Sequence, residues 1–443
     1  MRKLNTDQVA ASQPSGGTSL VIAGAGTGKT STMISKIQNV IEHSIVKPEE
    51  ILVLTFSRKA AGEIRERLSS GTGTIIGFAG TFHSFSLKLL EENKECYLIN
   101  RNLAAFPSVI SNEEKYSIIK KLVMEKPERF LGLPSDIVIK LSENPGYLRE
   151  PVIKKLQSGP LYNEIGNIKI LYEQYKKTNS LIEFDDMVND AADLLESYPA
   201  LKKKINEKYR YIFVDEFQDT SENNFRLLLL LLPELNKNIF MVGDDFQSIY
   251  KFRHSRIEYI INAEKFFPGI SIFKLKINYR SKKEIITISN RFIKLNKFRT
   301  SKKIISHQGT GGKVEFCNVA DMHDEADVLN KILSSICKSC SVAVLYRNNY
   351  QGEFLIQKVS PCLQGKSVEF MTMHASKGLE FDVVIIAGIS DKIIPDRTTD
   401  IEEERRLFYV ALTRAKNELY LLYHSRDRKE LPRFIRETGY MKK

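Results

Sequence analysis

Two apolar periods alternate along the chain. Short runs at 19–23, 51–55, 211–214, 239–242, 342–346, 383–387 and 419–423 read as strands buried on both faces, and stretches of helical spacing separate them. Strands alternating with helices predict parallel sheets, and their clustering toward the two ends of the sequence predicts two, an α/β architecture. Between them, from about 87 to 181, the text changes to Lys/Glu-rich helical periodicity punctuated by Pro107, Pro127, Pro134, Pro145, Pro151 and Pro160, which predicts a helical insertion within the first α/β unit. A second break falls at Phe267-Pro268-Gly269. The expected division is therefore 1–86 with 182–268 as a discontinuous first domain, 87–181 as the insertion, and 269–443 as the second domain. No repeat or low-complexity segment interrupts this plan, so order is expected almost throughout.

A chain of 443 residues is too long for one compact core, which agrees with several units. The balance of 66 Lys+Arg against 54 Asp+Glu leaves +12 and favours an anionic partner, because each neutralised phosphate releases a counterion. Charge alone does not name that partner. Residues Met1 to Gln8 turn polar at once, unlike a signal peptide, and the leucines at 227–232 are stopped by Pro233 far short of the roughly 20 residues a bilayer needs. The expectation is a cytoplasmic protein with no membrane partner and a buried helix at that run. Five cysteines, at 96, 317, 337, 340 and 362, fit a reducing compartment better than a disulfide framework. Cys337 and Cys340 form a C-x-x-C that Cys317 and Cys362 would complete as a zinc site, but a strand predicted to begin at 341 disfavours it.

The run 19–23 leads into Gly24-Ala25-Gly26-Thr27-Gly28-Lys29-Thr30 and then a helical stretch at 31–41. Glycines there let successive backbone N–H groups face a polyphosphate at a helix N-terminus, a lysine neutralises β and γ oxygens, and a hydroxyl holds Mg²⁺. Lys29 and Thr30 occupy those places, with Ala23 where the strict pattern has Gly. The run 211–214 ends in Asp215-Glu216, two carboxylates at the strand edge where α/β sheets bind ligands. Asp215 is expected to hold Mg²⁺, and Glu216 to orient and deprotonate the attacking water.

The surrounding words are more specific. Val214-Asp215-Glu216-Phe217-Gln218-Asp219-Thr220 closely resembles the word VDEFQDT of UvrD/Rep-like superfamily 1 helicases. Leu4-Asn5 with Gln8 is similar to the adenine-reading Q motif, and the segments 54–61, 80–85 and 183–187 resemble motif Ia, the next DNA-contacting motif and the return from the inserted subdomain. Segments 242–250, 278–281, 372–381 and 402–415 resemble motifs III, IV, V and VI, in family order. That resemblance implies two RecA-like P-loop domains with ATP between them, an ATP-dependent 3′ to 5′ DNA translocase or helicase. It assigns adenine to Gln8 and Tyr279, ribose to Glu380, γ-phosphate sensing to Gln247, and arginine fingers to Arg280 and Arg414. Phe56, Phe184, Tyr250 and Phe252 match positions that stack on or wedge between bases, and His83, Arg253, Thr372 and His374 match positions on the DNA backbone, for single strands or single/double-strand junctions.

Three departures stand out. Motif III offers Phe252 where the family usually has Trp, which weakens stacking; the residue after Thr30 is Ser31 where the family often has a nucleotide-touching Arg; and about 20 residues separate Asn349 from motif V where larger relatives insert a subdomain. The expectation is a reduced motor that translocates well and unwinds duplex weakly unless a partner supplies the missing surface. An alternative is an ATP-gated DNA-binding subunit of a nuclease-containing repair or phage-defence complex. A P-loop kinase explains none of the later motifs.

Overall fold

A computed structural model describes residues 3–125, 160–233, 237–359, 367–396, 399–425 and 431–439. Pro127, Pro134, Pro145, Pro151 and Cys362, invoked above, lie outside them. The chain divides into two compact units, one of Met1–Thr81, Asn206–Phe225 and Leu232–Lys443, the other of Phe82–Ile205 and Arg226–Leu231.

The larger unit holds two all-parallel sheets. The first has strands β1 (Thr18–Ala23), β2 (Ile51–Thr55), β3 (Phe78–Thr81), β4 (Tyr211–Val214), β5 (Ile239–Gly243) and β6 (Ser271–Leu275) in the order β3-β2-β4-β5-β1-β6. The strand just past the Pro268-Gly269 break thus completes the first sheet, and the chain crosses to the second only beyond Leu275. The second sheet has β7 (Lys313–Val319), β8 (Val342–Tyr346), β9 (Val368–Thr372), β10 (Phe381–Ile389) and β11 (Ala415–His424) in the order β7-β11-β10-β8-β9.

Helices α1 (Thr6–Ala11), α2 (Lys29–Glu42), α3 (Arg58–Thr72), α4 (Lys283–Ile293), α5 (Met322–Ser335), α6 (Asn349–Val359) and α7 (Ile401–Leu412) serve these sheets. Their ends follow from local chemistry: the Asn5 and Gln8 side chains form a reciprocal capping box on α1, Ser57 caps α3, and Asp400 caps α7 ahead of three glutamates that suit the positive end of the helix dipole. Met33, Ile37, Ile64 and Leu68 from α2 and α3 bury against Val21, Val53, Phe213 and Val242 of the first sheet. In the second sheet the period of two sorts residues cleanly. Ala343, Leu345, Val384, Ile386, Leu419 and Leu421 pack with Phe292 of α4 and Leu407 of α7. Val342, Val344, Val383, Ile385 and Leu422 pack on the other face with Leu329 of α5 and Leu355 of α6. Residues 360–367 are all that separates α6 from β9, so no subdomain is inserted there.

In the smaller unit, helices Phe82–Glu92, Lys94–Arg101, Asn112–Met124, Pro160–Thr178 and Phe184–Ser197 bear out the helical periodicity. Tyr97 donates to the buried Asp190 carboxylate at 2.7 Å and Arg101 approaches it at 3.2 Å. The leucine run ends the helix Glu222–Leu231, buried except at Leu229 and Leu230. Among the described residues no helix is long and apolar enough to cross a membrane, and no three metal-ligating side chains cluster; Cys317, Cys337 and Cys340 are free thiols.

Candidate functional site

β1 delivers Ala23 to the C-terminal edge of the first sheet, and the loop to Thr30 turns into α2. Gly28 caps that helix in the left-handed region (φ 83°), where a Cβ would also collide with the Gln8 amide. Gln8 explains the closeness: its Nε2 donates to the Thr27 carbonyl at 3.0 Å, and its Oε1 accepts from Asn5 N. The loop is held from the far side too, by Asn278 Nδ2 on the Ala25 carbonyl (2.7 Å) and Tyr279 N on the Gly26 carbonyl (2.8 Å). Gln8, Gly26, Gly28, Ser31, Arg67 and Tyr279 line a cavity of about 560 Å³ beside the loop.

The carboxylates stand where the sequence placed them, at the end of β4. Asp215 Oδ1 accepts Glu216 N at 2.9 Å. Glu216 adopts a left-handed backbone (φ 50°), a conformation costing roughly 1–3 kcal/mol for a non-glycine residue, and Gln218 Nε2 donates to its Oε2 at 2.7 Å. The pair is electrostatically split. Burial and the Glu216 charge push Asp215 above the ordinary carboxylate range, whereas at Glu216 burial, which would raise the acid, is outweighed by the attraction of Lys29 and Lys377, which holds it below that range. Thr30 and Asp215 offer hard oxygen donors, and a divalent cation would relieve the crowded negative charge, so these residues fit Mg²⁺.

Two guanidinium groups come from Arg414, just ahead of β11, and Arg280, just ahead of α4. Arg414, fully buried, donates from Nε to the Val410 carbonyl (2.9 Å), from Nη1 to the Leu379 carbonyl (3.0 Å) and from Nη2 to Gln247 Oε1 (3.1 Å). Burial and neighbouring Arg280 lower its pKa to about 9. Arg280 donates to Glu380 Oε2 (2.7 Å) and the Thr413 carbonyl (3.1 Å), and its Cβ abuts Gly26. Lys29, Asp215, Glu216, Gln247, Arg280 and Arg414 thus converge on one locus. Glu380 is paired with Arg280 and Lys416 and does not line the 560 Å³ cavity.

Of the expected DNA residues, Phe56 stacks on Tyr250 (4.9 Å, 19°), Tyr250 meets Phe252 edge-on (5.9 Å), and Phe252 meets His374 edge-on (5.8 Å). Arg253 lies over Tyr250 and Phe252, while Thr372 ends β9 beside His374 and accepts from Ala375 N. Phe252 is 62% exposed, as a stacking platform requires and a core residue does not. His83 and Phe184 belong to the smaller unit, where they meet edge-on at 6.2 Å with His83 also 3.7 Å from Asp185. His374 is held neutral at pH 7: burial first, then Arg347, Arg253 and Lys377, lowers its pKa to about 4. Substituting His374→Asn is therefore expected to leave the salt dependence of single-strand binding at pH 7.5 unchanged, while Arg253→Ala should reduce the log–log slope by roughly 0.7, one phosphate contact; titrations from low to high NaCl check this.

Sequence reasoning assigned no role to four residues here. Gln218 and Asp219 lie inside the Asp-Glu word, so the signal was present; Gln218 Oε1 also accepts Asp244 N at 2.8 Å. Lys377 pairs with Asp219, donates to the Gln247 carbonyl (2.9 Å) and lies 4.6 Å from the Tyr250 ring, joining the carboxylate site to the aromatic row. Arg67 reaches from α3 to Ser31 Oγ (3.5 Å), pairs with Glu63 (2.6 Å) and lines the cavity; only three-dimensional packing reveals it.

The UvrD/REP helicase N-terminal domain family matches residues 4–268, and the UvrD-like helicase C-terminal domain family matches 273–363 and 356–426, two pieces that meet at the short α6–β9 connection. Similar proteins include DNA helicase II of Rickettsia typhi, 31% identical over 363 residues (79% of this chain, 54% of that protein). ATP-dependent DNA helicase PcrA of Staphylococcus aureus is 29% identical over 420 residues (90% of this chain, 56% of that protein). The chain spans about half the length of the curated relatives it matches.

Proposed function

The chain belongs to the UvrD/Rep family of helicases, and from that premise we propose that it is a Mg²⁺- and ATP-dependent motor that moves 3′ to 5′ along single-stranded DNA. The observation that carries this proposal is the hydrogen bond from Arg414, just ahead of β11, to Gln247, just beyond β5: it ties the connections of the two sheets together beside Glu216. The sheets are then the two motor domains, and the helical segment is an insertion in the first.

ATP binds with adenine between Gln8 and Tyr279 and its phosphates on residues 23–30, Arg67 supplying the guanidinium that Ser31 does not. Thr30 and Asp215 would hold Mg²⁺, which would supply positive charge to the phosphoryl oxygens. Glu216, kept ionised and aimed by Gln218, orients the water and accepts its proton. Lys29, Arg280 and Arg414 stabilise the charge on the transferring group, and Gln247 reports its presence. Glu380 reaches the ribose by exchanging its pairing with Arg280. Closing on ATP and opening after hydrolysis moves two grips along the strand. The row Phe56, Tyr250, Phe252, Arg253, Thr372 and His374 forms one grip on the strand.

The test is ATP turnover by the full chain with and without oligo(dT). Stimulation of about tenfold or more is expected, and turnover indifferent to DNA contradicts the proposal. Phe252→Ala is expected to keep DNA-stimulated kcat within about threefold while lowering nucleotides travelled per ATP several-fold, since base stacking is worth roughly 1–3 kcal/mol. Phosphate release and strand-end arrival, measured together, decide it. With no subdomain between α6 and β9, duplex unwinding by the isolated chain is expected to be weak.

A further inference from the structure

Lys302 lies on the loop between α4 and the two-residue strand Ile305–Ser306, and the nucleotide chemistry above makes no use of it. Its side chain is wholly enclosed. The ammonium donates to three oxygens: the Ala23 carbonyl at 3.0 Å, Asp244 Oδ1 at 2.6 Å and Asp245 Oδ1 at 2.6 Å. An ammonium has three N–H donors, so this set saturates it, and the Phe246 ring lies 4.0 Å away. Burial alone would lower its pKa; the Asp244 and Asp245 charges outweigh that and hold it above the ordinary value.

Each partner leads to the nucleotide site. Ala23 is the last residue of β1 and the base of the phosphate loop. The other Asp244 oxygen accepts from Gln247 Nε2 at 2.5 Å, and Gln247 Oε1 accepts from Arg414. Hydrogen bonds therefore run unbroken from Ala23 through Lys302, Asp244 and Gln247 to Arg414. The loop is also fastened to α7: the Glu402 carboxylate accepts Lys297 N (2.7 Å) and Phe298 N (3.2 Å), and Arg406 donates to the Phe298 carbonyl (3.0 Å). Thr300 N and Oγ1 clasp Asp245 at 2.8 and 2.7 Å. Helix α7 is the one that leads into Arg414.

We infer that Lys302 is a positioning residue for ATP hydrolysis: pinned between the base of the phosphate loop and the carboxylate that holds Gln247, it fixes Gln247 against Arg414 and links the nucleotide pocket to the loop anchored on α7. This rests on the motor function proposed above. Without the ammonium, Asp244 keeps Phe246 N and Gln247 as donors but loses its tie to Ala23. ATP still has the loop and the adenine cavity, so affinity persists. What is lost is the placement of Gln247 in the transition state, where a displacement near 1 Å costs about a hundredfold in rate.

The experiment compares wild type, Lys302→Met and Lys302→Arg as full chains, measuring thermal melting and steady-state hydrolysis of Mg-ATP on oligo(dT). Methionine removes the charge at similar volume; arginine keeps the charge, but its planar fork cannot reproduce three converging ammonium bonds. Both are expected to lose about tenfold or more in kcat with KM for ATP within about threefold, the pattern of an interaction expressed in the transition state. A merely structural brace would lower the melting temperature and leave kcat of the folded protein intact, so a loss under about tenfold in either folded variant overturns the inference. If neither variant folds, Lys302 is a brace and the inference also fails. Wild type with no DNA-stimulated turnover contradicts the motor function itself, whereas an active wild type beside active variants removes only the role given to Lys302.

Discussion

Replacing Glu216 by Gln is expected to lower kcat for DNA-stimulated ATP hydrolysis by about 10³-fold or more, at the upper end of what a positioned general base contributes. The amide keeps the shape and an oxygen that accepts from Gln218 Nε2, whose present partner is Glu216 Oε2 at 2.7 Å. It cannot take a proton from water. The left-handed backbone at 216 is unaffected, because Gln has the same Cβ. Removing one of two adjacent buried carboxylates also relieves Asp215, whose pKa burial and the Glu216 charge raise. Lys29 and Lys377 in turn lose the anion they hold ionised, so the melting temperature should fall modestly, and ATP-bound protein should accumulate on DNA. Single-turnover phosphate release, with nucleotide binding in parallel, is the check. Near-normal turnover would remove Glu216 from the role of base.

Arg414→Lys is expected to reduce kcat by about 10²- to 10³-fold with KM for ATP changed less than about threefold, toward the lower end of arginine-finger losses because one positive charge is retained. The guanidinium satisfies the Val410 and Leu379 carbonyls while reaching Gln247, a fork that one ammonium cannot reproduce. Each buried carbonyl left without a donor costs about 1–3 kcal/mol, so this variant should also melt lower. Arg280 is close enough to help lower the pKa of buried Arg414, an arrangement suited to a polyanion at this locus. Separate measurement of kcat, KM and melting temperature distinguishes lost chemistry from lost fold.

Which strands the sequence disclosed follows from where they sit. The apolar runs at 19–23, 51–55, 211–214, 239–242, 342–346, 383–387 and 419–423 all prove to be interior strands covered on both faces, so they read as continuous hydrophobic text. The four main strands it did not disclose, β3, β6, β7 and β9, are the four sheet edges. In β6, β7 and β9 half-exposed sequences, such as Lys313-Val314-Glu315-Phe316 in β7, break the run with charges, whereas β3, Phe78-Ala79-Gly80-Thr81, is mostly buried but short and built mostly of small residues. The convergence of Lys29, Asp215, Glu216, Gln247, Arg280 and Arg414 was legible because each sits in a contiguous word. Arg67 and Lys302 were not, since what places them is packing between segments far apart in sequence: 36 positions for Arg67 and Ser31, 279 for Lys302 and Ala23.

In the proposed motor, ATP turnover at the locus joining the two sheets becomes directed travel along a single strand. Stopped-flow arrival times on oligonucleotides of increasing length, labelled at one end or the other and read with excess Mg-ATP, test it most directly. Arrival at the 5′ end should lag in proportion to length, with no such lag at the 3′ end and none at either end for Glu216→Gln. Arrival times independent of length at both ends, in a protein that hydrolyses ATP, would contradict it.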